Sequence, residues 1–270
     1  MVYLILILIG FIGGAIGSLA GLGGGIVIVP SLLFLGDSTN LLPPITPQLA
    51  VGTSIIIIIF TGLSSTLAYL KRKKVDYVSG LIFFIGGGPG ALLGAFLNER
   101  LNNDFFNLFF GLLMIVISIV LAITNKLRVF KLKKGLERIY KDNDGNAITY
   151  RVHIPIGISF SFLVGILSGL FGIGGGALMV PLMLIVFRFP PSIAVATSML
   201  LVLLFAATGS IAHMVQGNVE WLYTAALIPG AWIGARFGVW ISTRLNEKTI
   251  VIIFRLFIFL VGVRLILLSI

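Results

Sequence analysis

Long stretches of this 270-residue chain carry no charged side chain. They run over residues 1–36, 38–70, 154–187 and 189–219. Each stretch is longer than the roughly 20 residues that an α-helix needs to cross the hydrocarbon core of a bilayer. With 58% hydrophobic and only 10% charged residues, the chain also has more apolar surface than a water-soluble fold buries. The sequence therefore predicts an all-α, polytopic membrane protein.

The basic residues are concentrated in two places. Twelve of the 19 lysines and arginines lie in residues 71–74 and 126–151, both between apolar segments. This is the pattern of cytoplasmic loops, so the net charge of +10 reflects topology and nucleic acid is excluded as a partner. Cysteine is absent and there are two histidines, so neither a metal site nor a cofactor is expected. The apolar start of the chain is interpreted as a first membrane segment rather than a signal peptide.

The two halves of the chain resemble each other. Residues 21–30 read GLGGGIVIVP and residues 172–181 read GIGGGALMVP, with six of ten positions identical. Further along, PQLAVGTS at 47–54 matches PSIAVATS at 191–198. Matches at a fixed spacing indicate an internal repeat.

The repeat predicts three parts. Membrane repeat 1 covers residues 1–125, a basic cytoplasmic linker covers 126–151, and membrane repeat 2 covers 152–270. Each repeat is expected to hold about four to five membrane helices, with a glycine-broken helix at the centre followed by three longer spans. The linker sequence DNDGN at 142–146 predicts a turn.

The loop charges predict that the two repeats have opposite orientations. Residues 71–76 are basic and 98–104 net acidic in the first repeat, whereas 215–220 lack basic residues and 242–248 are net basic in the second. Because Lys and Arg mark the cytoplasmic side, this reversal indicates inverted-topology repeats. An odd number of crossings per repeat is then required, so each glycine-centred pair of helices would be a re-entrant hairpin. Eight conventional spans remain the alternative to ten.

The repeated glycine runs are the main candidate for a binding site. Three consecutive glycines break a helix, which leaves unpaired N–H groups at the positive end of the next helix and suits an anion. Packing between helices is the alternative interpretation, and we assign the regularly spaced Gly86, Gly90 and Gly94 to packing. The candidate anion-binding residues in the runs are Gly23, Gly24, Gly25, Gly174, Gly175 and Gly176.

Hydroxyl side chains recur at matching places in the two repeats. They belong to Thr53, Ser54, Thr197 and Ser198, and they either donate to a bound oxyanion or bond back to the preceding turn. Arg236 is the charge most nearly inside a span and is a further candidate partner of an anion. His213, at a span end, is expected to be interfacial. All nine Asp and Glu residues fall in predicted loops or at span ends, so no intramembrane carboxylate relay is predicted.

Taken together, the duplicated GxGGG-x4-P and AVxTS motifs resemble those of the TauE/SafE sulfite exporter family, also called TSUP, over essentially the whole chain. The resemblance implies export of a small sulfur-containing or organic anion, such as sulfite, sulfoacetate or another organosulfonate, across the inner cell membrane, without catalysis. The chain departs from the pattern in two places. Ala196 in the second half stands at the position of Gly52 in the first, and the loop at residues 36–46 is longer than its counterpart in the second half. The expected partners are the anionic substrate and the lipid bilayer, and a homodimer is left open.

Two other functions stay open at this point. An anion channel would share the same composition and motifs. An integral membrane enzyme acting on lipid would need a cluster of His, Asp or Glu near one interface, and the sequence contains no such cluster.

Overall fold

The computed structural model describes residues 2–38, 42–123, 135–141, 147–242, 244 and 258–267. The helices are α1 (Val2–Ala20), α2 (Gly25–Ser38), α3 (Pro47–Lys71), α4 (Tyr77–Asn98), α5 (Asn103–Ile123), α6 (Ile154–Phe171), α7 (Gly176–Ile185), α8 (Pro191–Val215), α9 (Trp221–Ile241) and α10 (Ile258–Leu267). Seven of these described helices are long and apolar enough to cross a membrane. The prediction of an all-α, polytopic membrane protein is therefore confirmed.

Local signals in the sequence set the starts of the central helices. Pro47 and Pro191 occupy the first positions of α3 and α8, where a missing N–H costs nothing. Thr46 caps α3 by accepting the N–H of Leu49 at 3.3 Å, and Asp76 caps α4 in the same way. Of the seven long helices, α3 and α8 are the most buried, and they carry the two TS motifs through the middle of the molecule.

Both glycine runs break their helices, as predicted. Gly23 and Gly24 have φ angles of +93° and +89°, and Gly174 and Gly175 have +77° and +73°. Residues with side chains rarely adopt this left-handed region. The chain consequently folds back, so that α1 with α2 and α6 with α7 form two helical hairpins.

The first helix of each half packs in parallel against a helix of the other half. Gly10 and Gly14 of α1 lie against Leu227 and Ala231 of α9, so residue numbers rise together along the pair. Where α4 meets α6, Gly86, Gly90 and Gly94 lie in the same way against Ile158, Phe162 and Ile166. These close backbone approaches confirm the packing role predicted for Gly86, Gly90 and Gly94.

The remaining contacts fix the directions of the other helices. Ser64 and Arg72 of α3 donate to the carbonyls of Trp232 and Val239 of α9, each at 3.0 Å, so α3 and α9 are parallel. Gly80 and Gly87 of α4 lie against Leu200 and Phe205 of α8, so α4 and α8 are parallel too. A short turn joins α3 to α4 and reverses the chain.

It follows that α1, α3 and α9 run one way, whereas α4, α6 and α8 run the other way. In the alignment of the halves, α1 corresponds to α6, α3 to α8 and α4 to α9, and each pair of counterparts points in opposite directions. This geometry supports an inverted arrangement. The sidedness in the membrane, the number of crossings and the boundaries of the three parts stay predictions.

The linker contains structure that the sequence did not lead us to expect. Two antiparallel strands, β1 (Leu136–Lys141) and β2 (Ala147–Val152), pair from Leu136 with Val152 to Lys141 with Ala147. Isoleucine, tyrosine and valine alternate there with polar residues, which favours a half-buried strand pair, but the high charge of the segment masks the pattern. The turn predicted at 142–146 lies outside the described residues.

Candidate functional site

The tips of the two glycine hairpins meet in the centre of the molecule. A Cβ built on Gly174 would lie 3.7 Å from the Cα of Gly23, and both runs are buried. The contact is reciprocal, because Gly25 at the start of α2 lies against the carbonyl of Gly172, and Gly176 at the start of α7 lies against the carbonyl of Gly21. The candidate glycines of the two halves are thus brought together.

Apolar side chains from the central helices enclose the tips. Ile58 of α3 would approach a Cβ on Gly25 to 2.7 Å, and Val202 of α8 would approach a Cβ on Gly23 to 2.8 Å. Both side chains are buried and occupy matching positions in the repeat. In this conformation the meeting point is closed.

The two candidate serines hold the hairpins of the opposite half. Ser54 donates to the carbonyl of Gly172 at 3.1 Å, and Ser198 donates to the carbonyl of Gly21 at 2.8 Å. These carbonyls belong to the C-terminal ends of α6 and α1, which lack partners inside their own helices. Ser198 also lies 2.8 Å from the carbonyl of Val195, which is the backward bond considered from the sequence. The bonds between the halves were not foreseen.

The two candidate threonines bind the starts of neighbouring helices. Thr53 accepts the backbone N–H of Glu220 at 3.0 Å, and Thr197 accepts that of Asp76 at 3.0 Å. A hydroxyl that accepts one hydrogen bond still has its own hydrogen to donate. Both threonines could therefore serve a ligand without losing these contacts.

Backbone donors are free at the starts of α2 and α7. Within the part of the chain that the structure describes, no acceptor is paired with the N–H of Gly25, Ile26, Gly176 or Ala177. These groups carry the positive end of a helix dipole. Free donors predicted for the glycine runs are thus present at Gly25 and Gly176, whereas the N–H of Gly23 donates to the carbonyl of Gly17 at 3.3 Å.

Arg236 lies apart from this arrangement. Its side chain is exposed on α9, with the guanidinium 5.3 Å from the ring centroid of Trp232, whereas both hairpin tips are buried. Only five residues separate it from the end of α9 at Ile241, so the long side chain can extend to the interface. The structure does not bring Arg236 together with the glycines.

Sequence reasoning missed two buried side chains that support the hairpins. Tyr69 donates to the carbonyl of Ser18 at 3.1 Å, and Nε2 of His213 lies 3.0 Å from the carbonyl of Gly169. His213 is fully buried within the protein, two residues before the end of α8, and its position at the membrane interface stays a prediction. In the alignment of the two halves, Tyr69 matches His213 and Ser18 matches Gly169. This correspondence was the signal in the sequence that could have indicated a shared role for Tyr69 and His213.

A buried carboxylate attaches the strand pair to the helices. Asp76, assigned to a loop from the sequence, is only 5% exposed and accepts hydrogen bonds from Arg138 at 2.9 Å, Tyr150 at 2.8 Å and Ser79 at 2.6 Å. Burial acts to raise the pKa of Asp76, but the bonds from Ser79, Arg138 and Tyr150 outweigh it and hold the pKa below its usual value. Because the N–H of Asp76 also binds Thr197, the strand pair is linked to the central helices. In the described ranges, no three His, Asp or Glu side chains are grouped as metal ligands.

Together, the fold and the paired broken helices define a polytopic α-helical membrane protein in which two glycine hairpins meet at the centre. The chain belongs to the sulfite exporter TauE/SafE family, whose model matches residues 6–265. It is 52% identical to the "Probable membrane transporter protein YunE" of Bacillus subtilis over 98% of both chains. It is also 27% identical to YjnA of the same organism, which bears the same description, over 97% of this chain and 98% of that protein. No solved structure matches the chain.

Proposed function

We propose that this protein is a transporter that exports a small sulfur-containing or organic oxyanion, such as sulfite, sulfoacetate or another organosulfonate, across the inner cell membrane. The observation that carries the proposal is the meeting of two helix starts, each with unpaired N–H groups, at the centre of the molecule. The description of the family, sulfite exporter, is in line with the proposed substrate class, and the names of the relatives are in line with transport.

The donors at this site are suited to a ligand that must be released. Backbone N–H groups and the hydroxyls of Thr53 and Thr197 can bind oxyanion oxygens without a buried cation opposite them. A full buried charge pair would bind more tightly and slow release. The exposed Arg236 has no part in this site.

Binding requires the hairpin tips to separate. Each helix start now faces the carbonyl end of a helix in the other half, at Gly172 and Gly21. Movement of one half against the other would replace these carbonyls by the substrate and would open the contact of Ile58 and Val202 with the tips. Such rocking about a site between inverted repeats is a known route to alternating access.

The direction of transport follows from the membrane potential. An inside-negative potential favours exit of an anion by about 2.3 kcal/mol per charge per 100 mV. Export therefore needs no coupling ion. We expect export from proteoliposomes to rise with an imposed inside-negative potential and to persist when the proton gradient is removed.

The direct test is thermal stabilisation of the purified protein by sulfite, thiosulfate, sulfoacetate and taurine. A ligand that binds only the folded state raises the melting temperature, by an amount that grows with its concentration. Stabilisation by at least one of the anions, followed by saturable flux of that anion in proteoliposomes, would support a carrier. Flux that does not saturate would identify a channel, and the absence of any binding or flux would refute the proposed substrate class.

A further inference from the structure

The surroundings of the two hairpin tips differ. A Cβ built on Gly175 would lie 2.9 Å from the ring of Phe205 in α8, so an aromatic side chain fills the space beside the start of α7. The position of α3 that matches Phe205 is Thr61. Beside Gly24, the counterpart of Gly175, the nearest atoms belong to the backbone of α1 instead. Phe205 therefore lies beside the residue that precedes α7, whereas none of the three atoms nearest to a Cβ on Gly24 belongs to a ring.

An unpaired hydroxyl lies on the helix beside the other tip. Ser65 of α3 is fully buried, and its Oγ has no hydrogen-bond partner. A buried hydroxyl without a partner is costly, and such groups in native proteins call for an explanation. The matching residue of α8 is Gly209, so the second half has no equivalent hydroxyl.

Ser65 lies on the same face of α3 as residues that contact the hairpins. At 100° per residue, Ser54, Ile58, Ser65 and Tyr69 fall within an arc of about 60°. Ile58 contacts Gly25 at the start of α2, and Tyr69 binds Ser18 near the end of α1. Ser65 therefore lies on the face of α3 that contacts the hairpins, seven residues after Ile58 and four residues before Tyr69.

We propose that Ser65 is a hydrogen-bond donor to the transported anion, which binds at the start of α2 rather than at the start of α7. One anion oxygen accepts from the free N–H groups of Gly25 and Ile26, and another accepts from the Ser65 hydroxyl. The start of α7 is closed by Phe205 and serves the structure. This assignment rests on the proposed function and identifies which half of the central site holds the substrate.

The test compares Ser65→Ala with Thr66→Val in the full-length protein. Thr66 is a matched control because its hydroxyl is also buried and unpaired, but it points about 100° away around α3. The melting temperature is measured in titrations with sulfite and with sulfoacetate. We expect Ser65→Ala to weaken binding tenfold or more, because a hydrogen bond to a charged group is lost. Thr66→Val should stay within twofold of the wild type.

A second measurement separates binding from folding. Removing an unpaired hydroxyl should not lower the melting temperature without ligand, and Ser65→Thr, which keeps the hydroxyl, should retain most of the affinity. Wild-type affinity in Ser65→Ala, or an equal loss in both alanine and valine variants, overturns the role of Ser65 and leaves the proposed function standing. If none of sulfite, thiosulfate, sulfoacetate and taurine stabilises the wild type, both the proposed function and this inference fail.

Discussion

Single glycines set the geometry of the hairpin tips through both their φ angles and their close contacts. Gly24 has a φ of +89°, and a Cβ there would lie 2.7 Å from the carbonyl oxygen of Gly13. Gly217 has a similar φ of +75° but has no atom within 4 Å of a built Cβ. The two positions therefore allow the cost of the backbone conformation to be separated from the cost of crowding.

We predict that Gly24→Ala lowers the free energy of unfolding by about 3 kcal/mol, whereas Gly217→Ala lowers it by about 1 kcal/mol. Both variants place a side chain on a residue with a left-handed backbone, which lowers the stability of the folded state. Only Gly24→Ala must also displace α1. Thermal melts of the two variants in the same detergent measure the difference. Equal melting temperatures would show that the tip is less tightly packed than the contacts indicate.

The sequence pointed to many of the residues at the centre but not to what they contact. The glycine runs and the TS pairs were visible because they recur at fixed spacing. The bond from Ser54 to Gly172 spans 118 residues, so no local pattern could reveal it. The burial of Ser65 and His213 was not predicted, because burial depends on which helix packs against each face.

Among the elements, the strand pair between the halves is attached to the helices by a buried carboxylate and by apolar packing, with the rings of Tyr150 and Phe189 4.3 Å apart. Its residues Arg138 and Tyr150 both donate to Asp76, which caps α4. A second ion pair, between Arg151 and Glu137, is exposed on both sides, with side chains 45% and 50% accessible. Exposed pairs of this kind contribute little to stability, so the polar part of the attachment depends on Asp76.

We predict that Asp76→Asn lowers the free energy of unfolding by about 2 kcal/mol at pH 7, because bonds to a charged group are lost. The folded-state pKa of Asp76 is depressed, so its contribution is present above the ordinary carboxyl pKa of about 4 and disappears as the pH falls through the lower folded value. Melts of wild type and Asp76→Asn should therefore converge in acid. Glu137→Gln, the exposed control, should change the melting temperature little at either pH.

Long apolar helices were predictable, whereas the strand pair was not. The bounds of α3, α4, α8 and α9 follow from uninterrupted apolar runs that begin after a cap or a proline. The strands are short and lie in a highly charged segment, where stability comes from buried contacts with Asp76 and Phe189 that only the folded protein contains. Length, composition and caps thus predict the helices, whereas the strand pair depends on tertiary contacts.

At the scale of the whole molecule, helix directions determine which loops share a side. Because α4 and α8 are parallel, the start of α4 and the end of α8 lie at opposite ends of the bundle. The basic loop that contains Lys74 should therefore face the cytoplasm, and the turn that contains Gly217 should face outward.

Cysteine labelling tests this topology directly, since the chain contains no cysteine. We expect Lys74→Cys to react with an impermeant maleimide only after the membrane is opened, and Gly217→Cys to react in intact cells. Labelling of both positions from the same side would contradict the inverted arrangement. The exposed Gly217 is a suitable site because a side chain there meets no neighbour.

The pairing of α1 with α9 also sets a constraint on synthesis. A ribosome completes α1 more than two hundred residues before α9 emerges. During that interval the glycine face of α1 has no permanent neighbour and must rest against lipid, the translocon or a membrane chaperone. Packing of the first half is consequently incomplete until the second half is inserted. Truncated chains should therefore be recognised and degraded rather than accumulate.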